Sequence, residues 1–226
     1  SALEAYVREA GIELIVMTTH GRGGLSRAWL GSVADSLVRS INVPVLLFRP
    51  RGDDAAEARA FRLRHILIPV DGSDLSEHVI DHAIWLGRLT GARYTLMQVV
   101  APPFGVPATD VIPVAPLAPQ DVESLRSLAT AYLEQVANRL RGDGLQVDTV
   151  VVVQTQSAPG ILEEALQCGA DLIAMATHGR GGWQRVALGS VADKVLRGTS
   201  VPLLILRPGA MSDRSVRALT SVSDEL

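Results

Sequence analysis

Two stretches of this chain carry the residue types that hold anions. Thr18-Thr19-His20-Gly21-Arg22-Gly23-Gly24 is followed by Gly31-Ser32-Val33-Ala34-Asp35, and Ala176-Thr177-His178-Gly179-Arg180-Gly181-Gly182 by Gly189-Ser190-Val191-Ala192-Asp193. In both, nine residues separate the glycine after the histidine from the Gly-Ser pair. Glycines let a backbone approach an anion closely and adopt positive φ. A helix starting at Gly189-Ser190 would add unpaired N–H groups and a partial positive charge, worth about 0.3–1 kcal/mol to a phosphate from the dipole alone. Several N–H contacts and the Ser190 hydroxyl, each net about 1 kcal/mol or more to a charged partner, must carry the rest, with Arg180 or Arg185. The chemistry expected is phosphate binding.

Other chemistries lack their residues. The Walker loop Gly-x4-Gly-Lys-Ser/Thr and Gly-x-Gly-x-x-Gly are absent, as is the Gly-x-Ser-x-Gly nucleophile elbow. His20 and His178 occupy equivalent places, but no second His, Cys or carboxylate stands at metal spacing, so no metal and no catalytic residue is assigned. The single cysteine, Cys168, excludes an internal disulfide, reads as a core residue on a helix and fits a reducing, cytoplasmic setting. A net charge of −3 offers no footprint for nucleic acid, and no apolar run is long enough to span a bilayer. Each candidate also has an ordinary reading: the glycine run as a surface loop, Asp71 as a helix cap, Asp193 as a helix-face residue.

The repeat sets the domain map. A shift of 158 positions lays residues 1–50 on 159–208 without a gap, with 23 identities in 50, so the two segments share an ancestor. The second copy is preceded by about 100 residues able to complete a domain, whereas the first opens at Ser1. The expectation is a C-terminal domain fragment at 1–50 truncated on its N-terminal side, a linker at 51–61, a complete domain at 62–208 and a polar tail at 209–226.

The elements that must position the loops follow in order. Residues 3–10 read as a helix stopped by Gly11, Glu13–Met17 as a strand covered on both faces, Ser32–Arg39 as a helix and Pro44–Phe48 as a strand. In the complete domain the strands expected are His65–Val70, Arg93–Val100, Gln146–Thr155, Asp171–Ala176 and Pro202–Leu206. The helices are Asp74 to about Leu89, with Asp74 and Glu77 at capping-box spacing, Asp121 to about Arg141, Pro159–Cys168 stopped by Gly169, and Ser190–Arg197. Residues 101–119 form a proline-rich excursion. Alternation of strand and helix predicts an α/β fold with an open five-stranded parallel sheet and helices on both faces. Ligands of such sheets sit beyond the carboxyl ends of the strands where strand order reverses. There the loop Asp71-Gly72-Ser73 should meet the segment Gly179–Gly189.

Ile66-Leu67-Ile68-Pro69-Val70-Asp71-Gly72-Ser73, the two late motifs already quoted, and Val201-Pro202-Leu203-Leu204-Ile205-Leu206-Arg207 together resemble a universal stress protein domain, complete over 62–208 and as a fragment over 1–50. The resemblance implies a Rossmann-like sheet and, in the nucleotide-binding branch, ATP held by Gly-x2-Gly-x9-Gly-Ser/Thr. Gly179 and Gly189-Ser190 match; Ala176 stands for the first glycine, and Thr18 in the other copy. By matching position, Pro69, Val70 and Asp71 would border the adenosine. Val99 would present its backbone to adenine, and Ala176, Thr177, Gly179, Arg180, Gly189, Ser190 and Val191 would surround ribose and phosphates, with Mg²⁺ accompanying ATP. The first copy lacks an Asp-bearing strand, so only the second is expected to bind nucleotide. The resemblance further implies pairing through last strands, Val43–Phe48 and Val201–Leu206, as a homodimer or an intrachain pseudo-dimer. The function expected is an ATP-binding regulatory module of the stress response, with a nucleotide-free dimerisation scaffold or a slow ATP hydrolase as alternatives.

Overall fold

Runs of consecutive apolar residues become strands in this chain, and the amphipathic stretches between them become helices that cover the sheet. The computed structural model describes residues 2–18, 32–41, 43–48, 61–102, 119–177 and 188–207. In order these are α1 (Ala2–Glu9), β1 (Ile15–Thr18), α2 (Ser32–Ser40), β2 (Val45–Phe48), β3 (His65–Pro69), α3 (Asp74–Arg88), β4 (Arg93–Val100), α4 (Pro119–Gly142), β5 (Val147–Val153), α5 (Ser157–Gln167), β6 (Leu172–Ala176), α6 (Ser190–Gly198) and β7 (Leu203–Leu206).

The strands form a seven-stranded sheet in the order β1-β2-β7-β6-β3-β4-β5. The expected five parallel strands are its β7 to β5 portion, and β1 and β2 of the earlier segment extend it to seven. β7 would otherwise expose a row of unpaired backbone groups, and β2 pairs with it antiparallel through Val45↔Ile205, Leu46↔Leu204 and Leu47↔Leu203. Leu46 and Leu204 are equivalent under the 158-residue shift, so this ladder reads the same from either strand. Phe61 stacks edge-on against Phe48, with ring centroids 5.3 Å apart, which ties the start of the later segment to the end of β2.

Alternation along the strands splits the core between two faces. Ile66, Ile68, Tyr94 and Leu96 pack with Val79, Ala83, Leu133 and Ala137 of α3 and α4. Leu67, Met97, Ile173 and Met175 pack with Leu37, Ile161, Val195 and Leu196 of α2, α5 and α6. Every residue of β3, β6 and β7 is buried, as the apolar runs predict. β1 departs from the expectation of double coverage: it alternates between half-buried and exposed, with Val16 58% exposed. Among the described residues it pairs only with β2, and a sheet edge is half-solvated whatever its sequence.

Boundaries move where local chemistry outweighs pattern. Gly11 and Gly169 do stop their helices, at φ 61° and 65°. The Asp74/Glu77 capping box is not formed, because Ser73 is the N-cap of α3 and its side chain accepts from the Ser76 N–H at 3.2 Å. α5 begins at Ser157 rather than Pro159, since a proline in the first turn needs no N–H. α4 likewise starts two residues early, at Pro119. Cys168 lies just past α5, half-buried, and burial followed by the Glu164 charge pushes its thiol up, away from reactivity. Residues 49–60 and 208–226, which hold nearly all of the expected linker and the whole tail, lie outside the described residues, as does 103–118.

His65 anchors the other end of the sheet. Its Nδ1 is 3.1 Å from the Cys168 carbonyl and its Nε2 2.8 Å from Thr95 Oγ1. A carbonyl only accepts, so Nδ1 carries the proton and the Thr95 hydroxyl donates to Nε2. Burial, then the Arg93 charge, lowers the pKa of this histidine below its ordinary 6.5. The unfolded chain therefore takes the proton first, and the stability held above about pH 6.5 drains away as pH falls below it. The melting-temperature advantage of the native chain over His65→Gln should shrink between pH 7.5 and 5; a constant difference would contradict this.

Candidate functional site

The sheet reverses its strand order between β3 and β6, which are direct neighbours through Ile66↔Leu172 and Leu67↔Ile173. From β3 the chain steps outward to β4 and β5, and from β6 it steps the other way to β7. Pro69, Val70, Asp71, Ala176 and Thr177 therefore stand side by side at the carboxyl ends of adjacent strands.

The loop after β3 is organised by Asp71. Its Oδ1 accepts from the Ser73 N–H at 3.0 Å and the Ser73 hydroxyl at 2.6 Å, while its own N–H donates to Ser76 Oγ at 3.2 Å. Gly72 sits between at φ 78°, where a side chain would be strained. Asp71 thus braces the cap of α3 rather than capping it. Val70, 4% exposed, turns inward and donates its N–H to the Met97 carbonyl at 2.8 Å.

Thr177, 2% exposed, is the hinge of the second loop. Its N–H donates to Leu206 O at 2.8 Å, and its carbonyl accepts from the Gly189 N–H at 2.9 Å. Residues on either side of the glycine segment are thereby held one hydrogen bond apart. Gly189 is the N-cap of α6 and supplies no side-chain cap, Ser190 is exposed and Val191 half-buried. Asp193 pairs with Arg197 at 2.8 Å, so it is the helix-face residue its position suggests. Gly179 and Arg180, with His20, His178 and Arg185, lie outside the described residues.

Val99 occupies the next strand. The Met97 carbonyl points toward β3 and the Val100 carbonyl accepts from Gln154 on the β5 side. Backbone groups alternate sides along a strand, so Val99 directs its N–H and carbonyl toward β3, beyond the last β3 residue. Its side chain faces α5. Two residues that sequence reasoning missed flank it: Gln98 and Gln154 each leave a carboxamide oxygen buried without a partner. Glutamines ending strands carry no signal in sequence. Behind Asp71, the Tyr132 hydroxyl donates to Glu77 Oε1 at 2.8 Å. Burial, that bond and the carboxylates of Glu77 and Asp71 hold its pKa far above the usual tyrosine range.

The universal stress protein family model matches residues 1–49 and 62–207. The chain belongs to the universal stress protein family. A universal stress protein of Mycolicibacterium smegmatis is 32% identical over 200 residues, covering 87% of this chain. This chain spans 62% of that relative's length. A universal stress protein of Methanocaldococcus jannaschii is 32% identical over 146 residues, 64% of this chain and 82% of its own length. Among solved structures, a Pseudomonas aeruginosa protein of unknown function covers the whole of this chain and 72% of its own length, with TM-score 0.61 and 18% identity. That likeness shows the same fold. No helix among the described residues of this universal stress protein chain is long and apolar enough to cross a membrane.

Proposed function

We propose that this chain is a cytoplasmic regulatory module that binds ATP at the carboxyl edge of β3 and β6. The observation that carries the reading is the uncapped N-terminus of α6, closed onto Thr177 and set at the strand-order reversal beside the Asp71 loop. First-turn N–H groups without a capping side chain are anion donors in waiting. Pro69, Val70 and Asp71 would border the adenosine and the Val99 backbone would meet adenine. Ala176, Thr177, Gly179, Arg180, Gly189, Ser190 and Val191 would surround ribose and phosphates. Mg²⁺, when bound, would neutralise phosphate charge, and Asp71 is the carboxylate placed nearest to share it.

The same reading takes residues 1–50 as the C-terminal fragment of one domain, joined to the complete domain at 62–208 as an intrachain pseudo-dimer. Its support is the β2–β7 ladder centred on the equivalent residues Leu46 and Leu204. Ala176 and Thr18, where the family pattern has glycine, favour the nucleotide-free scaffold as the alternative.

Ser190→Ala removes a hydroxyl donor from an exposed position, so it should leave folding intact. A charge-assisted hydrogen bond is worth about 1.5 kcal/mol or more, so ATP affinity measured by calorimetry should fall about tenfold. Unchanged affinity in this variant would move the phosphates elsewhere.

A further inference from the structure

Away from the strand edges, a groove of about 590 Å³ runs along α3 against the end of α4. His78 and His82 both line it, one helical turn apart, with Trp85 on its wall and Asp74, Asp81 and Asp143 among its carboxylates. We propose that His78 and His82 form a two-imidazole clamp for a divalent transition-metal ion.

Side chains four residues apart share a helix face, and this is the spacing at which paired histidines of zinc-binding helices chelate. The Nδ1 of His78 is hydrogen-bonded to the Asp74 carbonyl. Only the ring can donate there, so Nδ1 carries the proton and Nε2 keeps its lone pair, the arrangement that orients ligating histidines. His82 is 7% exposed, and among the described residues its ring makes no hydrogen bond while its nitrogens are not buried orphans, which separates it from a satisfied core histidine. His65, in the same chain, has a partner on each ring nitrogen. Helical side chains lean toward the N-terminus, which tilts the His82 ring over the turn that carries His78. Three carboxylates around the groove outnumber its Arg88 and favour a cation, Glu77 and Arg139 being engaged with each other.

Among the described residues no three His, Cys, Asp or Glu side chains surround one point, so water completes the coordination and the site is open and exchangeable. Imidazole pairs suit Ni²⁺, Cu²⁺ and Zn²⁺ rather than Mg²⁺ or Ca²⁺.

The test is a calorimetric titration of NiCl₂ into the full chain, free of nucleotide and magnesium, so that its outcome is independent of the ATP reading. One ion per chain is expected, with affinity falling at least tenfold in His82→Ala and in His78→Ala. His78 is exposed, so its variant keeps the test valid if His82→Ala disturbs the fold. No saturable binding at millimolar Ni²⁺, or undiminished binding in the His78→Ala variant, would overturn the proposal.

Discussion

Leu46→Asp should strip residues 2–48 from the sheet while the body from β3 to β7 stays folded. Leu46 is 7% exposed and lies opposite Leu204, itself 1% exposed, at the centre of the only antiparallel ladder among the described strands. An aspartate there would stand in an apolar cluster with Leu204 and Leu206, and an uncompensated buried charge costs about 3–5 kcal/mol. β1 and β2 cannot absorb such a loss, since each is four residues long and the edge strand is half-solvated. β7 keeps its parallel partner β6 through four register pairs from Ile173↔Leu203 to Ala176↔Leu206. Hydrogen exchange followed by mass spectrometry should show protection lost in β1 and β2 and retained in β3, β4 and β6. Leu204→Asp, the equivalent substitution, strikes the larger body and should lower protection throughout. If Leu46→Asp exchanges like the native chain, or loses protection everywhere, the two-body account of this sheet is wrong.

Gly87→Ala should destabilise the chain, although alanine normally improves a helix interior by about 1 kcal/mol. A methyl group at Gly87 would stand 2.8 Å from Cε1 and Cζ of the Tyr94 ring and meet its hydroxyl. Tyr94 cannot swing aside. It is 1% exposed, sits on β4 between β3 and β5, and its hydroxyl donates to the Ile84 carbonyl at 3.1 Å. Overpacking of this kind costs about 1–3 kcal/mol, which set against the gain leaves a net loss of about 1 kcal/mol and a drop in melting temperature of about 2–4 °C. The double variant with Tyr94→Leu should lose less than the sum of the two single changes, because the second removes the atoms the first collides with. A rise in melting temperature for Gly87→Ala alone would contradict the packing described.

What could be read in advance was the part governed by local rules. Apolar runs located β3, β6 and β7, glycines marked the stops at Gly11 and Gly169, and the Gly-Ser pair at 189–190 marked the start of α6. The reversal of strand order followed from helix alternation, while the segment Gly179–Gly189 that the Asp71 loop was expected to meet lies mostly outside the described residues. What could not be read depends on partners distant in sequence. Nothing in Ile15–Thr18 distinguishes an edge strand from a central one, and the number of strands depended on whether β2 would reach β7. The cap of α3 fell to Ser73 because Asp71 holds its hydroxyl, a three-residue network with no sequence spacing of its own. Gln98 and Gln154 became notable only once their oxygens proved buried. The His78–His82 pair is visible as a spacing, but its groove exists only where the end of α4 packs beside α3.

The most direct test of the nucleotide reading is a calorimetric titration of ATP with Mg²⁺ into the full chain. Saturable binding of one ATP per chain is the predicted result, because among the described residues only β3 leads into an aspartate loop, at Asp71, next to a strand that precedes a Gly-Ser helix start. No heat and no thermal stabilisation at millimolar ATP would contradict the central claim and leave the scaffold reading in its place, while two ATP per chain would contradict the single-site assignment.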